Sequence, residues 1–166
     1  MDSWESEKRA LAVQLASVHD ELRLEATGFP VELRSIRPCL EDWTAMELLG
    51  HVAEMHYSYV ARAKHLIAHP GAELARDMES PERIGAIHDG ATVTLEMALG
   101  RLDEARHFAL AFLDTLKPAE VGIEGFHRAL GQMTVRDVFG RTIVGHARNH
   151  LEQLRETRRR LTEGLP

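Results

Sequence analysis

Three histidines carry the chemistry this sequence offers most plainly: His51, and the pair His146 and His150. The pair lies in the stretch IVGHARNHLEQL, where a spacing of four puts both imidazoles on one helical face. A third imidazole from another helix closes a three-nitrogen cage with at least one open coordination position. That donor set suits a catalytic divalent cation, because structural zinc sites are normally closed by four protein ligands.

The pattern around the pair supports this reading and leaves a second one open. Phe139, Ile143 and Leu154 mark the apolar stripe of the last helix, and His146 and His150 stand where that stripe expects core residues. Each is then either a core histidine hydrogen-bonded to a carbonyl or a metal ligand; a buried imidazole needs a partner in both cases. Glu47 and Glu54 lie within a turn of His51 and are candidates to orient its second ring nitrogen, as metal-bound imidazoles usually require, with Glu54 alternatively a fourth ligand. Gln153 follows His150 by three and reaches the rim of the site. Gly50, Gly140 and Gly145 sit beside these positions, and helix-interior glycines cost about 1 kcal/mol each against alanine, which implies close helix approach or room for a ligand. His19, His56, His65, His69, His88 and His107 show no convergent spacing and read as surface or helix-end residues. Two ExxH pairs, Glu104/His107 and Glu124/His127, fall short of the four-helix di-iron pattern: the first lies off the core seam and the second in a Gly-flanked linker. Cys39 lacks a positioned base and reads as an inert thiol.

The elements that must position these residues are helices. The first runs from about Asp2 to Ala26, with Trp4, Leu11, Leu15, Val18 and Leu22 on one stripe and Gly28-Phe29-Pro30 ending it. The second opens at Thr44, where Thr-Ala-Met-Glu matches a capping box closed by Glu47, and carries Leu48, Val52, Met55, Tyr59 and Leu66 inward until His69-Pro70-Gly71. Ser80-Pro81 marks the start of a third, whose seam of Leu95, Ala98, Leu102, Ala105, Ala109, Phe112 and Leu116 precedes the break at Lys117-Pro118. An irregular Gly-rich stretch follows, and its segment from Gly122 to Gly131, with Phe126, His127 and Arg128, is a candidate lid over the open coordination position. Thr134, with Asp137 in the first turn, reopens a fourth helix to about Leu161. These elements predict an all-α four-helix bundle, as one domain over 1–166. Residues 69–80 span roughly 35–40 Å if extended, at about 3.3 Å per residue, enough to cross the bundle's length. A crossover between the second and third helices makes the second and fourth antiparallel neighbours and brings His51 level with the pair.

Composition bounds the function. With 166 residues, 44% of them hydrophobic and 28% charged, the chain has the makings of a folded core. A net charge of -6 excludes a nucleic-acid partner of the ordinary basic kind. The one basic cluster, Arg158-Arg159-Arg160, complements the dipole at the end of the last helix. There is no apolar run of the ~20 residues needed to cross a bilayer, no signal core, and a single cysteine, which together place the expectation in the cytoplasm without membrane association.

Trp43-Thr44-Ala-Met-Glu47-Leu-Leu-Gly-His51, followed by His146-Ala-Arg-Asn-His150-Leu-Glu-Gln153, resembles the DinB/YfiT-like superfamily across essentially the whole chain. The resemblance implies an up-down-down-up bundle and maps that family's three metal ligands onto His51, His146 and His150, with Gln153 matching its HxxQ ending. It further implies zinc or nickel as the bound metal, with iron or manganese as other divalent candidates, and a homodimer. It also implies a low-molecular-weight thiol such as bacillithiol, mycothiol or glutathione as cosubstrate. Relatives often carry Arg-Gly after the last ligand, where this chain has Leu151-Glu152, so the neighbouring pocket differs. The expected activity is a metal-dependent thiol S-transferase or a related transferase or hydrolase acting on a small molecule. The alternative is a non-catalytic, stress-related metal-binding dimer.

Overall fold

A computed structural model describes residues 3–74, 80–90 and 92–164. It contains α1 (Ser3–Gly28), α2 (Ala45–Ala68), α3 (Pro81–Gly90), α4 (Leu95–Thr115), the strands β1 (Glu124–His127) and β2 (Gly131–Thr134), a short turn α5 (Val135–Asp137), a π-helical stretch Val138–Val144, and α6 (Gly145–Glu163). Four long helical runs, α1, α2, α4 and the run ending in α6, pack as a four-helix bundle. Both α1 and α2 touch α4 on one side and α6 on the other. No helix among the described residues is long and apolar enough to cross a membrane.

The expected stripes face the core. Trp4, Leu11, Leu15, Val18 and Leu22 of α1 are buried, as are Leu48, Val52, Met55, Tyr59 and Leu66 of α2 and Leu102, Ala105, Ala109 and Phe112 of α4. Asp2, the expected start of the first helix, lies outside the described residues. Ion pairs Glu7–Arg136, Glu21–Arg155 and Glu25–Arg158 advance together along α1 and the last helical run, so those two run the same way. Between α1 and α4 the order reverses: the Trp4 indole N–H donates to the Leu116 carbonyl, while Asp20 pairs with Arg106.

Three expectations are corrected. The third helix is broken in two. Carbonyl capture by the Thr92 and Val93 amides at Asp89 ends α3, and Thr94 restarts the chain as an N-cap accepting from the Met97 amide at 3.2 Å. Ser80 begins α3 as foreseen, accepting from the Arg83 amide at 3.3 Å. Residues 75–79 of the proposed crossover lie outside the described residues. α3 lies against α2 at Gly50, where a Cβ would run into the Ala86 carbonyl oxygen, so that glycine serves close helix approach.

The stretch after α4 is also ordered, as an antiparallel hairpin pairing Glu124 with Thr134 and His127 with Gly131. Gly131 turns it at φ +75°. The hairpin is tied to the segment after α2: the Gly71 amide donates to Glu124 at 2.8 Å and the Leu74 amide to Phe126 at 2.7 Å. Gly125 lies against the Ala72 carbonyl and Leu66, leaving no space for a side chain.

The last correction concerns His19 and His56, which are core residues, 2% and 0% exposed. Their Nε2 atoms are 2.9 Å apart, and His56 Nδ1–H donates to the Val52 carbonyl at 2.8 Å. His56 Nε2 is therefore the acceptor and His19 Nε2–H the donor, an arrangement that requires His56 to be neutral, while burial keeps His19 neutral as well. Burial dominates in pushing His19 down to about 2 and His56 down to about 4. The unfolded chain takes up these protons near pH 6.5 while the native chain does not, so native stability falls as pH drops through 6.5 toward 4. At pH 4.5 the loss is on the order of 2 kcal/mol per ring. Urea midpoints are expected to be flat above pH 7 and to decline steeply between 6.5 and 4.5, with a shallower decline in His56→Gln; parallel pH profiles in the two proteins would rule this out.

Candidate metal centre

His51 is one and a half turns into α2, a helix whose start is firmly set. The Thr44 hydroxyl accepts from the Glu47 amide at 3.1 Å, and Glu47 Oε2 accepts from the Thr44 amide at 2.8 Å, which completes the capping box. The other oxygen of Glu47 accepts from the Arg37 guanidinium. Both oxygens are thus committed, and Glu47, 4% exposed, is neither a solvent-facing residue nor a partner of His51.

His146 and His150 come from α6, directly after the π-helical stretch. There the Gly145 amide donates to the Gly140 carbonyl, five residues back, so Gly140 and Gly145 frame the wide turn. A π turn holds one residue more than an α turn and displaces everything after it around the axis. The fully buried stripe of α6 accordingly passes through Ala147, Leu151 and Leu154. His146 and His150 flank it, His146 half-buried and His150 buried but next to an opening.

The three imidazoles meet. One ring nitrogen from each of His51, His146 and His150 lies within 4.8 Å of the other two. Ring centroids are 4.8 Å apart for His51 and His150, 5.7 Å for His51 and His146, and 4.5 Å for His146 and His150. Nitrogens bound tetrahedrally to one cation at about 2.1 Å stand about 3.4 Å apart, within reach of side-chain rotation from this arrangement. Gln153 Oε1 accepts from His150 Nδ1 at 2.9 Å, which places the proton on Nδ1 and leaves Nε2 as the ligand atom. Glu54 Oε2 faces His51 Nδ1 at 4.0 Å. Glu54 is an outer neighbour of that ring rather than a further member of the cluster. Trp43 covers the apolar side, its ring 4.7 Å from His51 and 6.0 Å from His150. The donor set and its supports fit a divalent cation with an open coordination position.

His146 and His150 border a cavity of about 320 Å³, whose wall also includes Tyr59, His127, Leu130, Arg141, Asn149 and Gln153. His127 and Leu130, from the end of the hairpin, form its lip, so part of the expected lid is in place. Phe126 and Arg128 are elsewhere: Phe126 lines a separate surface cleft, and Arg128 pairs with Glu73. Neither ExxH pair builds a second cluster among the described residues; His107 is exposed and bonded to the Asp103 carbonyl. His65, His69 and His88 are exposed, as expected. Cys39 is exposed and donates to Asp42. The roles of Trp43 and Arg141 were not foreseen: Trp43 was visible as part of the motif before α2, whereas nothing local in the sequence marks Arg141.

A model of the DinB superfamily matches residues 14–154. No protein of curated function matches the sequence. Among solved structures, the fold is similar to YfiT from Bacillus subtilis, described as a probable metal-dependent hydrolase with an unusual four-helix bundle topology. The TM-score is 0.76 at 19% identity, over 97% of this chain and 90% of that one. It is also similar to a point mutant of mycothiol-dependent maleylpyruvate isomerase, with a TM-score of 0.64 at 12% identity. That alignment covers 89% of this chain but 62% of the isomerase, which is the longer protein.

The separation of roles between Glu47 and Glu54 can be measured. Glu47→Ala is expected to lower unfolding stability by about 1–2 kcal/mol through loss of the cap and to leave divalent-metal content unchanged. Loss of metal without loss of stability would reverse the assignment.

Proposed function

Because the chain belongs to the DinB superfamily, we propose that it is a divalent-metal enzyme acting on a small molecule, a thiol S-transferase or a related transferase or hydrolase. The observation that carries this reading is the cluster of His51, His146 and His150 beside an open cavity. Both similar structures belong to proteins described in terms of metal-dependent or thiol-dependent chemistry. Zinc and nickel are the metals that the family resemblance favours, both compatible with imidazole donors, with iron or manganese as other candidates.

A divalent cation at this cluster supplies Lewis-acid chemistry, lowering the pKa of a thiol or water brought to it. The chain's own residues do the rest. Gln153 holds His150 in the tautomer that frees Nε2. Trp43 excludes water from one side of the His51 and His150 rings, which strengthens electrostatic interactions within the site. The hairpin end narrows the entrance and leaves a space of the size that small-molecule sites occupy.

Purified protein is expected to contain about one divalent metal per chain, and His146→Ala or His150→Ala to abolish it. Full metal retention in both variants sinks the assignment. Turnover is tested by offering glutathione, bacillithiol or mycothiol with chlorodinitrobenzene, in the presence and absence of zinc or nickel. Metal-dependent conjugation is the expected result. Retained metal with no reaction across these thiols and simple esters would instead favour a non-catalytic metal-binding bundle.

A further inference from the structure

Two cavities on either side of the helices that carry the histidines differ sharply in charge. The one between α2, α3 and α4 is lined by Glu54, Glu82, Asp89 and Glu104, with Arg101 as the one cation among its described lining residues. The one that opens on the histidine cluster has no carboxylate among its described lining residues, in a chain with 26 acidic residues. Arg141 stands in its wall, on the π-helical stretch, four residues after Asp137.

Arg141 makes no hydrogen bond or ion pair with any described residue, in contrast to most arginines of this chain. Arg23, Arg37, Arg101, Arg106, Arg128 and Arg136, for example, each pair with a carboxylate. The carboxylate nearest along its own element, Asp137, accepts from the Thr134 amide at 2.9 Å and the Thr134 hydroxyl at 2.8 Å; it lies within the field of Arg141, which helps to hold its carboxyl below the usual range, but makes no direct ion pair with it. The positive field extends across the cavity. His127 is held below the ordinary imidazole range, by burial first and then by the charges of Arg62 and Arg141. Its Nδ1 accepts from the Ala129 and Leu130 amides, both at 3.2 Å, so the neutral ring keeps its proton on Nε2. Asn149 adds an amide to the same wall.

We propose that Arg141 is the anchor for a carboxylate on the substrate, so that this site selects small anionic molecules carrying the reacting group at the opposite end, toward the histidines. The inference rests on the metal-centre reading for the identity of that opposite end, but the anchor itself does not require a metal. A guanidinium offers two parallel N–H donors to a planar two-oxygen acceptor, which makes carboxylate the natural match for one arginine. The short apolar surface of Leu130 and Ala129 accommodates the carbon chain between the two ends. Arg141 is thereby a positioning and specificity residue.

The test uses the full chain as purified, with metal content measured first. Binding of 3-mercaptopropionate is compared by calorimetry with that of 3-mercaptopropionamide, its neutral counterpart, and with inorganic phosphate. The acid is expected to bind about tenfold or more tightly than the amide, the usual scale of a hydrogen-bonded charge. Arg141→Gln should erase that preference while metal content stays at the wild-type level. Arg148→Gln removes an equal charge between the two histidines of α6 but outside the cavity wall, and should leave the preference intact. Equal binding of acid and amide by the natural protein, or a preference that survives Arg141→Gln, overturns the proposal, and tighter binding of phosphate than of the acid overturns the carboxylate assignment. A chain without metal that still shows the Arg141-dependent preference defeats the metal reading alone; a metal-loaded chain without the preference defeats the anchor alone.

Discussion

A buried imidazole has two ring nitrogens, and the fold must provide for both. Most of what is specific about this bundle can be traced to that requirement. It is met in two ways on opposite sides of one helix. On one side of α2, His19 donates to His56 and His56 to the Val52 carbonyl, which provides for three of the four ring nitrogens and leaves only the acceptor His19 Nδ1 without a hydrogen bond among the described residues, in a neutral pair enclosed by the core. On the other side, His51 meets His146 and His150, whose nitrogens converge on a common point. The two groups are only five residues apart along α2, yet one is sealed and the other opens on a cavity. The first contributes to the stability of the fold, and the second makes chemistry available.

The remainder of the molecule supports this contrast. The capping box at Thr44 fixes where α2 begins and hence where His51 falls, and Gly50 lets α3 press against the same turn. The wide π turn ending at Gly145 rotates α6 so that its two histidines lie beside the core stripe, next to the opening, while Ala147 and Leu151 fill the interior. Charge is sorted between the two cavities as well: carboxylates gather behind Glu54, and the entrance to the histidines is left to Arg141 and neutral donors.

Much of this was legible in the sequence because it is local. The stripes of α1, α2 and α4, the Thr44–Glu47 cap and the four-residue spacing of His146 and His150 are patterns within one or two helical turns. What escaped is tertiary or too short to read. Each hairpin strand buries a single position, and in β1 that position is Gly125, so no apolar alternation was there to find. The break at Thr94 lies under a run of continuous helical spacing. His19 and His56 could have been found: His19 falls among Leu15, Val18 and Leu22, and His56 among Val52, Met55 and Tyr59, at core spacing. Their pairing is invisible locally, because the two are 37 residues apart. Arg141 stands out only through the absence of a carboxylate from the described lining of its cavity, and that is a property of the folded neighbourhood.

The histidine cluster joins α2 to α6, with one histidine in the first half of the chain and two in the first turns of the last helix. A polypeptide emerging from the ribosome therefore presents His51 alone for most of its synthesis, and the three-nitrogen set exists only after α6 has docked. A divalent cation held at this cluster would consequently be taken up late in the life of each molecule. It would come from the pool met by the finished fold, because partly made chains have no complete site with which to compete for it.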